Sequence, residues 1–384
     1  MYYYRLGEVP HKRHTQFRKA DGSLHHEELM GIRGFSGNKS LLYHLRPPTR
    51  VEKLSLERRV EIPYEEPGPL RHRLVRSASL PARGDAVGGR VPLLANDDVC
   101  LSVVRPSEPM EYWYRFAHGD EVVFVHEGTG VLESQFGTLR YGRGDYLVIP
   151  TGVIWRILPD AGVDQRMLVV EAHGHIEPPR RYLNSHGQLL ESAPYSERDI
   201  RPPQELVTHD EEGEFEVRIK ARGTISRYVY GHHPLDVVGW DGHLWPFAFN
   251  IGDFEPITGR VHQPPPVHQT FDGPGFVLCS FVPRLFDYHP EAIPAPYNHS
   301  NVDSDEVIYY VEGDFMSRKG IEAGAFTIHP NGIPHGPHPG TYEGSIGKER
   351  TDELAVMVDT FRPLRMTTWA AALEDERYPY SWSG

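Results

Sequence analysis

The chain carries one spaced frame of glycines and prolines twice, and this repeat limits its fold more than any other feature. In the second half Glu306 is followed by six residues and then Gly313, and Gly324 by five residues and then Pro330-Asn-Gly332-Ile-Pro-His335. In the first half Glu121 is followed by six residues and Gly128, and Gly144 by five residues and then Pro150-Thr-Gly152-Val-Ile-Trp155. Around these positions short β-branched and aromatic runs alternate with glycine-containing turns, as in VVFVHEGTGVLESQFGTLRYGRGDYLVIP and EVIYYVEGDF. That texture predicts antiparallel hairpins. Two copies of one β-rich unit, joined by a polar connector with proline-rich patches (EPPRRYL, IRPPQEL), point to an internal duplication.

Composition agrees with a β-rich, turn-rich protein. Among 384 residues there are 20 Tyr, 16 Phe, 6 Trp, 37 Gly and 34 Pro. The formal net charge of -13 argues against nucleic acid or an anionic membrane as a partner. Cys100 and Cys279 are the only cysteines, which excludes a disulfide framework or a thiolate metal cluster and suits a reduced cytoplasm. The N-terminal MYYYRLGEVPHKRH does not read as a secretory signal, and no apolar run is long enough to span a bilayer. The expected layout is an irregular packing segment over 1–95, a first β unit over 96–200, and a connector plus second β unit over 201–384. TTWAAALEDERY near the C-terminus predicts a short helix.

The 22 histidines are the compositional oddity, because imidazole is both a common metal ligand and a frequent acid–base group. His299 and Asn301 precede Glu306, and His335 ends the glycine–proline frame. The two frames resemble the two-part cupin signature, in which His-x-His-x(3–4)-Glu-x(6)-Gly precedes Gly-x(5)-Pro-x-Gly-x(2)-His. The resemblance implies a mainly β bicupin: two jelly-roll β-barrel halves, with the irregular N-terminal segment and the short C-terminal helix outside them. His299, Glu306 and His335 stand at three ligand positions, and Asn301 stands where a further histidine would be. Trp155 occupies the place of His335 in the first half, so the first cupin is expected to hold no metal. Two histidines and one carboxylate leave coordination positions open, the arrangement of non-haem Fe(II) oxygenases, although the same donors suit Zn or Mn.

Beyond the signature, the chain resembles the homogentisate 1,2-dioxygenase family in a shorter form. The resemblance rests on Pro296-Tyr-Asn-His299-Ser-Asn301, Pro334-His335-Gly336-Pro337, Val238-Gly-Trp240-Asp-Gly242 with Pro246-Phe247 and Asn250, and Phe254-Glu-Pro-Ile257. Near the N-terminus it includes Glu27-Glu-Leu29-Met-Gly31 and Asn38-Lys39-Ser40-Leu-Leu-Tyr43. It implies Fe(II) on His299, Glu306 and His335, and the conversion of homogentisate and O2 to 4-maleylacetoacetate in tyrosine and phenylalanine catabolism. It implies an acid–base histidine at His262, with His268 as the substitute and a possible substrate contact, and a second catalytic or substrate-contacting histidine at His329. Asn301 falls in the substrate-binding region. A small aromatic diol and O2 are the expected partners, together with further copies of the chain in a homo-oligomer.

The sequence departs from the family where its longer members carry an Arg before the signature glycine and a Tyr two residues after it. Glu312 and Phe315 stand there, and Arg318 or Lys319 are candidates to replace the lost positive charge at the substrate, or else solvated hairpin residues. A related hydroquinone- or gentisate-type para-diol is therefore an alternative substrate. Two further readings are a metal-binding cupin without oxygenase activity and a Zn- or Mn-dependent isomerase.

Overall fold

The computed structural model describes residues 1–313, 315 and 320–383. Two large sheets form the first barrel, and hydrophobic side chains of both, among them Leu132 and Trp155 on one and Val123 and Val169 on the other, share one core. The seven-stranded sheet runs Gly137–Tyr141, Gly130–Ser134, Ile154–Pro159, Trp113–Phe116, Glu212–Ala221, Thr224–His232, Lys53–Arg59. The eight-stranded sheet is centred on Asp145–Ile149, Glu121–Glu127, Arg166–Ala172 and Val99–Val104. The second half is built on a six-stranded sheet in the order Gln269–Gly273, Phe276–Phe281, Leu354–Thr360, Asp305–Glu312, Phe326–His329, Arg73–Val75. A two-stranded ribbon of Arg284–Leu285 and Arg350–Thr351 accompanies it.

The duplication is visible in backbone geometry as well as in sequence. The paired frame glycines adopt matching left-handed conformations: φ is 86° at Gly144 and 82° at Gly324, and 83° at Gly152 and 78° at Gly332. A residue with a Cβ is strained in that region, which explains why the glycines recur at fixed spacing.

The N-terminal 95 residues are less irregular than the sequence suggests. His26–Gly31 and Lys39–His44 pair with each other, and Lys39–His44 pairs with Val237–Gly242, which in turn pairs with Tyr4–Gly7. Three of the short stretches resembling the dioxygenase family thus lie side by side in one sheet. Their pairing is long-range, so local periodicity gave no signal of it. The sheets also do not part at residue 200. Glu212–Ala221 runs parallel to Trp113–Phe116, and Phe247–Asn250 pairs with Asp145–Ile149, so these strands beyond residue 200 belong to the first barrel's sheets. The C-terminal helix is only Thr368–Ala371, capped by the Thr367 hydroxyl accepting from the Ala370 N–H at 3.1 Å. Among the described residues no helix is long and apolar enough to cross a membrane.

Candidate metal centre

Glu306 is the second residue of the strand Asp305–Glu312, and alternation along that strand puts Glu306, Ile308 and Tyr310 on one face. The neighbouring strands place His329 and Asp359 directly beside Glu306, and Thr327 and Met357 beside Ile308. One strand further, Cys279 lies beside Met357 and Phe281 beside Ala355. This wall therefore has a polar end at Glu306 and an apolar remainder, where Cys279, Ile308, Tyr310, Phe315, Ala355 and Met357 form one buried cluster.

The loops bring the two histidines to the polar end. His299 and His335 exchange backbone hydrogen bonds, N–H to carbonyl at 2.9 and 2.8 Å, so the two ligand loops form a bridge of their own. The Gly332 N–H donates to the Asn301 carbonyl at 2.8 Å, fastening the same loops one step away. His299 Nε2 stands 3.7 Å from Glu306 Oε2, and His335 Nε2 stands 3.4 Å from Glu306 Oε1. The potential ligand atoms of His299, Glu306 and His335 all lie within 4.8 Å of one another. Among the described residues this is the one such group.

The donor set fits a first-row divalent cation. The His335 side chain is fully buried, yet neither ring nitrogen has a hydrogen-bond partner among the described residues. A buried imidazole with no partner is costly, and a metal bond to one nitrogen removes that cost. Burial pushes the Glu306 carboxyl up, but the imidazoles of His299, His329 and His335 outweigh it and hold the group well below the usual carboxylate range. Asp359 goes the other way: burial, then the charge of Glu306, raises its carboxyl well above the ordinary value. Its Oδ1 is buried and has no hydrogen-bond partner among the described residues.

His329 stands beside Glu306 on the neighbouring strand. Its Nδ1 is 2.7 Å from Glu306 Oε1, its Nε2 is 3.4 Å from the Tyr378 hydroxyl, and its ring stacks on that of His335 at 4.5 Å. His262 lies on the open side, with Nδ1 3.5 Å from Asp287 Oδ2 and its ring edge-on to Tyr297, which is itself edge-on to His299. His268 is buried against Phe281, and burial, then the charges of Arg284 and His262, push its pKa down to about 3. Arg318 and Lys319 fall outside the described residues. Glu312 forms an exposed ion pair with Arg143, and Phe315 packs edge-on against Tyr310 with centroids 4.6 Å apart.

Several neighbours of the site were not singled out in the sequence. His72, from the N-terminal segment, packs on His329 and His335 with centroids 5.4 and 6.0 Å away, and Trp382 packs on His72. No spacing rule connects residues 72, 335 and 382. Asp359 did leave a signal, because LVVEA at 168–172 and VMVDT at 356–360 place an acid at the same point of the repeat.

In the first barrel Trp155 is fully buried, edge-on to Tyr114. Glu121 has Ile149 and Glu171 beside it where Glu306 has His329 and Asp359.

Comparison with known proteins agrees with this layout. The profile described as "Homogentisate 1,2-dioxygenase N-terminal" matches residues 93–251, and that described as "Homogentisate 1,2-dioxygenase C-terminal" matches residues 269–384. The Saccharolobus solfataricus protein "Putative dioxygenase SSO1533" is 42% identical over 385 residues, covering 100% of this chain and 99% of that protein. A Nitrobacter hamburgensis "Homogentisate 1,2-dioxygenase" is 27% identical over 282 residues, covering 69% of this chain and 61% of that protein. A solved "Cupin 2 conserved barrel domain protein from Leptotrichia buccalis" superposes with a TM-score of 0.34 at 10% identity, over 79% of this chain and 100% of that one. With both halves matched in order, and a relative 42% identical along the whole chain, this protein belongs to the homogentisate 1,2-dioxygenase family.

Proposed function

We propose that the chain is an Fe(II) dioxygenase that opens the ring of a para-dihydroxylated aromatic acid, with homogentisate as substrate and 4-maleylacetoacetate as product. The observation that carries this reading is the convergence of His299, Glu306 and His335 at one end of an otherwise apolar wall. Two imidazoles and one carboxylate leave sites open to substrate and dioxygen. When bound there, Fe(II) would supply dioxygen activation and acidify a coordinated hydroxyl.

The remaining roles fall to the protein. Cys279, Ile308 and Met357, with Phe281 packed against them, form the apolar side of the site that would hold the aromatic ring and keep water away. His329, itself contacted by the Tyr378 hydroxyl, would hold Glu306 in its orientation and so act as a positioning residue. His262 would take the proton of the substrate hydroxyl. Asp287 Oδ2, 3.5 Å from His262 Nδ1, would help orient that ring. Asn301 would shape the ligand loop through its carbonyl bond to Gly332.

The substrate's carboxylate needs an anchor, since Glu312 and Phe315 offer none. Arg284 is suited to it. Its guanidinium lies 5.7 Å from the Phe281 ring centroid and forms no ion pair among the described residues, and burial lowers its pKa. A partly desolvated cation beside the apolar wall would pair with a ligand carboxylate more strongly than an exposed one.

Oxygen uptake and ring-opening absorbance for the Fe(II)-loaded protein on homogentisate, gentisate and unsubstituted hydroquinone test this reading. One O2 consumed per homogentisate opened is expected. Turnover of gentisate alone would move the activity to the other acid, and no uptake with any of the three would overturn the oxygenase assignment.

A further inference from the structure

The two barrels place their inner carboxylates alike and differ in the cation beside them. In the first barrel Arg90 Nη1 lies 2.6 Å from Glu121 Oε1 and 2.7 Å from Glu171 Oε1, and Lys220 Nζ lies 2.7 Å from both oxygens of Glu171. A guanidinium thus bridges the pair corresponding to Glu306 and Asp359. The Arg90 side chain is only 6% exposed, and its Nη2 is buried with no hydrogen-bond partner among the described residues. That guanidinium lies 5.6 Å from the Tyr114 ring centroid and 6.0 Å from that of Trp155, which fixes it at the inner end of the site.

A cavity of about 340 Å³ is lined by Arg90, Glu171 and Lys220, and also by Arg58, Arg59 and Arg83. That volume falls at the small end of the range for small-molecule sites. Five cationic residues line it against Glu61 and Glu171, in a chain whose net charge is -13. Arg58, Arg59 and Arg83 form no ion pair among the described residues, so their charge is free for a ligand. Trp369, 40% exposed, adds an aromatic face to the same lining.

We propose that this cavity binds a small organic carboxylate with a flat apolar body, at a site separate from the metal centre. Arginine forks match a carboxylate in two parallel hydrogen bonds, and the indole of Trp369 covers the apolar body. Phosphate fits less well, because it would engage the arginines but leave the indole of Trp369 with nothing to cover. The site does not depend on the ring-opening reading and is tested apart from it.

The test is a fluorine NMR titration of the metal-loaded protein with 4-fluorophenylacetate, repeated on Arg59→Gln/Arg83→Gln and on Arg284→Gln. Both arginines of the double variant are exposed, so it should fold, and its melting curve checks this. Saturable binding in the parent protein, weakened at least about tenfold in the double variant and kept in Arg284→Gln, is the expected result. Absence of binding, equal affinity in the double variant, or loss only in Arg284→Gln would overturn the proposal. Equal affinity for neutral 4-fluorobenzyl alcohol, or displacement by equimolar inorganic phosphate, would overturn the carboxylate assignment.

Discussion

His329 Nδ1 donates at 2.7 Å to Glu306 Oε1, the same oxygen that stands 3.4 Å from His335 Nε2. The contact holds a buried carboxylate in one rotamer. His329→Gln should therefore lower metal affinity by roughly 10–100-fold, the usual effect of removing a ligand's supporting partner. Competition with a chromophoric chelator measures this. Unchanged affinity would reduce His329 to a core residue.

His262 and His268 are separated by environment. His262→Ala should retain metal while kcat/KM falls roughly 10²–10⁴-fold, with the deficit shrinking at higher pH as the substrate hydroxyl ionises unaided. His268 is buried on Phe281 with its pKa pushed down to about 3, so it is neutral at any working pH. His268→Ala should lower stability more than it slows turnover. A pH–rate profile and metal content of both variants decide; a deficit confined to His268→Ala would transfer the role.

Arg284→Gln should raise KM about tenfold or more for homogentisate while leaving unsubstituted hydroquinone unaffected. Equal losses on both would mean that Arg284 supports the wall without reading the carboxylate.

The N-terminal sheet should carry a pH-dependent share of stability. Burial lowers the pKa of His44, but the hydrogen bond to Asp236 at 2.7 Å and the Glu28 carboxylate 3.2 Å from Nε2 outweigh this and raise it to about 9. A folded pKa above the unfolded value means that the contribution is fully present below about pH 6.5 and is lost as pH rises toward 9. His44→Gln should cost on the order of 2–3 kcal/mol at pH 6 and much less at pH 9.5, read from urea unfolding at both. Equal costs would remove the ionised contact.

The repeated frame made the doubled β architecture and the convergence of His299, Glu306 and His335 legible, because the turn glycines and the residues at the ends of the frame are fixed by local geometry. Gly144 and Gly324 must take the same left-handed conformation, and that requirement is written as glycine. What lay beyond reach were partners chosen by the tertiary fold. His72 reaches His335 because Arg73–Val75 adds an edge strand beside Phe326–His329, and Leu42 meets Trp240 across nearly two hundred residues. Trp155 marked a ligand position without a histidine in the first barrel, but Arg90 as the bridging cation could be seen only once the strands were paired.

The central claim is one Fe(II) per chain, held by His299, Glu306 and His335. An anomalous difference map at the iron edge, from crystals loaded with Fe(II) without oxygen, tests it most directly. The account predicts a single peak with bonds of about 2.0–2.3 Å to all three residues and none beside Trp155. A peak in the first barrel, or none within bonding distance of His335, would contradict it.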